Sequence, residues 1–211
     1  MRIDPAGFPF VAIAALPALA AWFFAPPAVA LALLVLPVAV ALFFRDPERT
    51  SPKDRNVVLA PADGRVLHAG EARPDEAPPG QWLQITIFLS LFDVHINRTP
   101  VPGRVTRVDY VSGSALPAYR TDAHGNEHSE IWLDHDGKAV VTRQVVGVLA
   151  RRVVCRLTPG QQLEAGDRIG LMKFGSRMDV FLPVTATLTV TRGQQVRAGE
   201  TIIARLAPDP R

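Results

Sequence analysis

A chain of 211 residues with 48% hydrophobic and 20% charged residues is long and apolar enough to bury one substantial core, which excludes a disordered protein. Its net charge of +3 is too mild to argue for nucleic acid as a partner, and an anionic membrane surface suits it at least as well. The one cysteine, Cys155, excludes an internal disulfide and reads as a buried, inert thiol in the apolar run Val153-Val154-Cys155.

From the amino terminus, no Asp, Glu, Lys or Arg occurs between Asp4 and Arg45. Ala25-Pro26-Pro27 divides this stretch into two apolar segments, Phe8 to Phe24 and Ala28 to Phe44. Each is near the lower limit of the roughly 17 to 25 residues that span a bilayer. Two helices joined by a proline turn predict a hairpin over residues 1–45. Trp22, Phe23 and Phe24 at the turn and Phe43 and Phe44 at the exit suit a membrane interface. Arg2 at one end and Arg45, Arg49, Lys53 and Arg55 at the other place both ends, and the domain that follows, on the cytoplasmic side of the cell membrane. A signal peptide cut near Ala28-Val29-Ala30 is the main competitor, but the apolar region is too long for one and the preceding charge too meagre.

Residues 46–56 turn polar and read as a linker, and residues 57–211 read as a β-rich domain. Its predicted strands are Arg65 to Gly70, Trp82 to Leu89, Gly103 to Val111, Glu130 to His135, Ala139 to Val148, Arg151 to Leu157, Arg168 to Lys173, Asp179 to Leu182, Thr187 to Thr191 and Thr201 to Arg205. A short helix is expected near Leu91 to Val94 or near Ala115 to Tyr119. The segment Gly160-Gln161-Gln162-Leu163-Glu164-Ala165-Gly166 recurs 33 residues later as Gly193-Gln194-Gln195-Val196-Arg197-Ala198-Gly199. Turn glycines framing an apolar residue before a strand predict quasi-symmetric hairpins in a small sandwich. The pattern resembles the barrel-sandwich of biotinyl and lipoyl carrier domains, which present a modifiable Lys at a hairpin tip. Lys173 lies between the two copies, so a membrane-anchored carrier or adaptor without catalysis is one reading. Modification at Lys173 of an intact chain would mark it.

Four segments carry candidate chemistry. In Ala60-Pro61-Ala62-Asp63-Gly64-Arg65, Asp63 either caps a turn or supplies a functional carboxylate. In Phe92-Asp93-Val94-His95-Ile96-Asn97-Arg98, the side chains of His95, Asn97 and Arg98 gather at a strand exit, where functional residues collect. Arg151 and Arg152 interrupt an apolar run, as a solvated edge or an anion site. In Lys173-Phe174-Gly175-Ser176-Arg177, the Gly175-Ser176 bond is either an ordinary turn or a site of self-cleavage. The serine hydroxyl can attack the preceding carbonyl, and a glycine there admits strained geometry. Elimination from the resulting ester, then hydrolysis, would leave a pyruvoyl group on a new amino terminus.

Taken together, the amino-terminal apolar segment, Pro-Ala-Asp-Gly, Asp-Val-His-Ile-Asn-Arg, Ala-Arg-Arg-Val-Val-Cys and the Gly-Ser site resemble the phosphatidylserine decarboxylase family in its short, proenzyme form, over nearly the whole chain. The resemblance implies a mainly β domain of barrel-sandwich (lipoyl- or biotinyl-like) type behind the helical hairpin. It implies cleavage between Gly175 and Ser176 into a large β chain (1–175) and a small α chain (176–211). The two would stay together as a heterodimer, open to higher oligomerisation. It also implies a covalent pyruvoyl cofactor made from Ser176 and a membrane phospholipid substrate, phosphatidylserine, decarboxylated through a Schiff base. Asp63 would orient His95, and His95 would take the proton of Ser176 as a general base, a serine-hydrolase triad by role alone. His95 would later protonate the substrate carbon. Arg98 and Arg177 would hold the lipid phosphate or carboxylate, with Asn97, Glu127 and His128 bordering the site. Longer family members carry a second His where this chain has Arg98. Either His95 therefore serves both steps, or His124, His128 or His135 contributes. No metal is expected.

Overall fold

The computed structural model describes residues 2–114, 116–119, 123, 125–147, 153–173 and 176–208. Phe174, Gly175, His124 and the pair Arg151-Arg152 lie outside them. The chain divides into two compact units, Met1–Glu48 and Arg49–Arg211.

In the first unit, α1 (Phe8–Phe24) has the bounds the charge-free pattern predicts, but the second apolar segment forms two pieces, α2 (Pro27–Leu33) and α3 (Val35–Phe43). Pro37 accounts for the break. It offers no N–H to the carbonyl of Leu33, and its ring crowds that carbonyl, so the helix restarts with the proline in a first turn. β1 (Arg2–Ile3) pairs antiparallel with β2 (Arg45–Asp46), so the chain enters and leaves this unit side by side. Phe44 stacks on Phe10, with ring centroids 5.4 Å apart, and it lies against Gly7, where a Cβ would come within 2.5 Å of the Phe44 ring. The outward surface is apolar: Ile13, Leu16, Leu19, Trp22, Phe23 and Phe24 are all exposed. Pro5–Phe24 is long and apolar enough to cross a membrane, and Pro27–Phe43 is shorter. An exposed apolar face of this size marks a surface for association with a membrane or another protein.

The second unit is mainly β. Its strands are β3 (Val57–Leu59), β4 (Gly64–Glu71), β5 (Trp82–Leu89), β6 (Ile96–Arg98), β7 (Gly103–Val111), β8 (His128–His135), β9 (Lys138–Val145), β10 (Val153–Cys155), β11 (Gln162–Leu163), β12 (Arg168–Met172), β13 (Ser176–Pro183), β14 (Thr187–Leu188), β15 (Gln195–Val196) and β16 (Ile202–Arg205). A curled eight-stranded sheet runs β11-β7-β8-β9-β13-β5-β4-β15, and two three-stranded sheets run β10-β12-β6 and β14-β16-β3. All named strand pairs are antiparallel. The helix expected at Leu91 to Val94 is a turn, held by Asp93 Oδ2 accepting from the backbone N–H and hydroxyl of Ser90 at 2.8 and 2.7 Å. That side chain competes with helical hydrogen bonding. The segment read as a linker contributes Arg49 and Ser51 to this unit, as described below.

The repeat read in the sequence has a structural counterpart. Gly160 and Gly193 both adopt positive φ before a two-residue strand, and Gly166 and Gly199 adopt it after. β11 pairs with the start of β7 as β15 pairs with the start of β4. A second echo, missed in the sequence, completes the pattern: Ala60-Pro61-Ala62-Asp63-Gly64-Arg65-Val66 corresponds to Thr99-Pro100-Val101-Pro102-Gly103-Arg104-Val105. The backbone confirms it reciprocally, because Leu59 N–H bonds to Pro100 O and Arg98 N–H to Pro61 O, both at 2.8 Å. Polar candidates stand where the copies differ: Asp63 replaces a proline, Asn97 a valine and Arg98 a leucine.

Gly64 and Gly103 hold φ of 151° and 158°, and a Cβ on either would fall 2.1 or 2.4 Å from a carbonyl oxygen of the neighbouring strand. Gly64→Ala is therefore expected to destabilise the fold by about 1–3 kcal/mol, read as a lower urea midpoint.

Candidate active site

β13 occupies the middle of the large sheet, between β9 and β5, and its alternation divides the chemistry between two faces. On the core face, Met178, Val180 and Leu182 lie opposite Ile87, Ile85 and Leu83, and Ser176 ends this apolar row opposite Leu89. Ser176 is fully buried, and its Oγ has no hydrogen-bond partner among the described residues. Burying an unsatisfied hydroxyl costs on the order of 1–3 kcal/mol, so this placement demands a chemical reason.

On the other face, Arg177 is 2% exposed. Its Nε donates to both Asp179 carboxylate oxygens at 3.0 Å, and one Nη donates to Asp179 and Glu76 at 2.8 Å each. Thr86 donates to Asp179 at 2.7 Å, and Gln84 and Arg73 donate to Glu76 at 3.0 Å. Burial alone would push the Glu76 carboxyl up. The Gln84 hydrogen bond, the Arg177 charge and Arg73 outweigh it and hold the group below its usual range. Burial likewise opposes the Arg177 charge, but Asp179 and Glu76 overcome this and raise its pKa. An arginine so engaged anchors the strand that starts at Ser176. Period-two alternation of Arg177 and Asp179 with apolar neighbours was the available signal, though Glu76 on a distant loop had none.

His128 shares this second face. It pairs with Val145, and Val145 pairs with Arg177. Burial, only partly offset by the hydrogen bond to the Asn126 carbonyl, lowers its pKa and keeps the ring neutral. His128 is thus placed with the Arg177 cluster, on the opposite side of the sheet from Ser176. Glu127, just before it, has a buried Oε1 with no hydrogen-bond partner among the described residues.

His95 immediately precedes β6 and is buried. Its Nδ1 lies 2.9 Å from the carbonyl oxygen of Asp93. A carbonyl only accepts, so Nδ1 carries the proton and, in the neutral ring, Nε2 holds the lone pair. The His95 carbonyl accepts from Met172 N–H at 3.2 Å. Four residues of chain lead from Met172 to Ser176, which limits their Cα separation to about 14 Å. Asp63 accepts from Arg49 Nη2 and from Ala198 N–H, both at 2.7 Å, while Arg49 also donates to Glu200 at 3.1 Å. Burial raises the Asp63 pKa against these bonds, and the Asp93 charge raises it further. Asp63 therefore stands in the field of the turn that holds His95, with its two oxygens on Arg49 and Ala198.

Arg98 is buried beneath the repeat turns. Nη1 donates to Gly166 O at 2.9 Å, and a Cβ on Gly199 would lie 3.1 Å from its Cδ. Ser51 packs against the same glycines. Asn97, by contrast, faces a polar partner: Gln144 Nε2 donates to its Oδ1 at 2.8 Å. Gln144 lies opposite Met178 and so shares the face of Ser176. Cys155 is half-buried on β10.

This arrangement is a buried serine beginning a central strand, an oriented imidazole at the neighbouring sheet and amides between them, in a mainly β unit. The profile of the family described as phosphatidylserine decarboxylase matches residues 37–204. The chain is 41% identical over 211 residues to a phosphatidylserine decarboxylase proenzyme of Chlorobium limicola, covering 96% of this chain and 99% of that one. It is 41% identical over 202 residues to the protein of that name from Paraburkholderia xenovorans, covering 95% of each chain. With its namesake in Symbiobacterium thermophilum it shares 44% over 203 residues, covering 95% of this chain and 94% of that one. The chain belongs to the phosphatidylserine decarboxylase family.

Proposed function

We propose that the protein is a proenzyme that cuts itself between Gly175 and Ser176, and that the mature form decarboxylates phosphatidylserine to phosphatidylethanolamine and CO2. The observation that carries this reading is the buried Ser176 hydroxyl, which has no hydrogen-bond partner among the described residues. A pyruvoyl group at that position fits, because its ketone has no donor to satisfy.

Self-cleavage follows from the oriented imidazole. His95 Nε2 takes the hydroxyl proton as Ser176 Oγ attacks the Gly175 carbonyl carbon, and the C–N bond breaks as the amide nitrogen is protonated. Loss of the Cα proton with rupture of the Cβ–O bond frees the Gly175 carboxylate and leaves an enamine. Water converts this to the ketone, releasing ammonia. A pyruvoyl group at position 176, held at the start of β13, would supply a carbonyl for the substrate amine and an electron sink for the C–C bond that breaks. His95 Nε2 then returns a proton to the substrate carbon. Asp93 O fixes the tautomer, Asp63 biases the charge near that turn and Arg177 anchors residue 176 from behind. The apolar first unit tethers the enzyme at the cytoplasmic membrane face, where a two-chain lipid is accessible.

A denaturing mass measurement tests this. Two fragments split after residue 175 are expected, the smaller lacking a free amino terminus and reacting with a hydrazine. A single intact mass would overturn the proposal.

A further inference from the structure

Asn97 and Gln144 form a neutral amide pair in the fully buried interior. The bond between them leaves Asn97 Nδ2, a donor, and Gln144 Oε1, an acceptor, without hydrogen-bond partners among the described residues. Turning both amides over exchanges these roles but again leaves one donor and one acceptor. Two such atoms buried together cost more than an apolar pair of the same shape, so a ligand that satisfies both is implied.

The pair also bridges the parts of the site. Asn97, in β6, lies two residues beyond His95, which immediately precedes that strand. Gln144 lies opposite Met178, diagonally adjacent to Ser176 on the core face. The ligand must therefore offer one N–H and one acceptor oxygen close together, next to position 176. An α-amino acid end, with its primary amine and carboxylate on one carbon, has that form.

We infer that Asn97 and Gln144, in the orientation the structure gives them, bind the amino-acid end of the head group, Gln144 Oε1 taking an amine N–H and Asn97 Nδ2 a carboxylate oxygen. This rests on the function proposed above and adds Gln144 to it as a substrate-binding residue. Neutral donors suit the task. An arginine facing the carboxylate would stabilise a charge that disappears as CO2 leaves, lowering the ground state more than the transition state. Arg177 is held on the far face by Asp179 and Glu76.

The test uses the mature, full-length protein with glycerophosphoserine or glycerophosphoethanolamine and sodium cyanoborohydride. The amine nitrogen replaces the ketone oxygen, which leaves as water, and the added hydride reduces the new C=N bond, fixing the ligand for intact-mass detection. Gln144→Met, with rates expressed per cleaved, hydrazine-reactive chain, should trap both ligands roughly tenfold more slowly, the worth of one good hydrogen bond. Asn97→Ala should slow the serine ligand by a similar factor and spare the ethanolamine ligand, which has no carboxylate. If Gln144→Met does not fold, Gln144→Glu keeps an acceptor oxygen and should slow the serine ligand more than the ethanolamine ligand. Wild-type trapping of both ligands by the Gln144 variant, or equal slowing of both by Asn97→Ala, would overturn the assignment. A wild-type protein that neither cleaves nor traps would instead overturn the proposed function.

Discussion

Ser176→Ala should remain one full-length chain, show no hydrazine-reactive fragment and release CO2 from phosphatidylserine only at the background rate. No other side chain can supply the oxygen that attacks the preceding carbonyl and is then eliminated from the same residue. The variant should nevertheless fold well, because alanine removes an unsatisfied hydroxyl from a buried row. It should melt no lower than an uncut serine chain, and by up to about 1 kcal/mol in its favour. That combination separates lost chemistry from lost structure. His95→Ala provides the companion measurement. An uncut chain assigns the base to His95, whereas a cut but inactive chain would confine His95 to returning the proton. Efficient cleavage of Ser176→Ala would sink the assignment of the site.

Arg177→Met should have the largest effect on stability. It removes the cation from between Glu76 and Asp179, side chains that are only 3% and 0% exposed. Breaking a buried pair in this way costs about 3–5 kcal/mol, because Asp179 stays buried without this ion pair and Glu76 keeps only the more exposed Arg73. Calorimetry or urea unfolding of the uncut Ser176→Ala background reads that loss without interference from cleavage. The pH dependence has a definite sign. The folded state holds the Glu76 carboxyl below its ordinary value of 4.5, so its stabilisation is fully present above that pH and disappears as pH falls through the folded value. The deficit of Arg177→Met relative to its parent should therefore shrink below about pH 4.5 as Glu76 protonates. A deficit that is small and independent of pH would show that the cluster is not held together by charge.

Much of this architecture was legible because the punctuation was strong. β5 and β7 have their predicted bounds, each ending at turn residues and alternating in side-chain character, and α1 ends at its proline turn. The short strands β3, β6, β11 and β15 escaped because two or three residues cannot establish a period. The second apolar helix was read as continuous because composition does not report how Pro37 breaks a hydrogen-bond ladder. Residue types likewise pointed to Ser176 and His95 as candidates, but not to the side of the sheet on which their neighbours lie. With the strand expected to begin only at Asp179, nothing fixed the parity that sends Arg177 and His128 away from Ser176. Gln144 was silent because its partner Asn97 lies in another sheet, 47 positions earlier.

The position of β13 bears on how such a protein can be made at all. Residues from 176 onward supply this middle strand and the short strands β14, β15 and β16, with β9 and β5 flanking β13 on either side. A backbone cut before residue 176 would leave the smaller piece laced through the larger one, so dilution alone should not part them. Denaturation would convert folding from a unimolecular event into an encounter between two strangers, one of them too short to hold structure alone. On the proposed cleavage, the uncut chain would be its own assembly template, and folding would have to come before the cut.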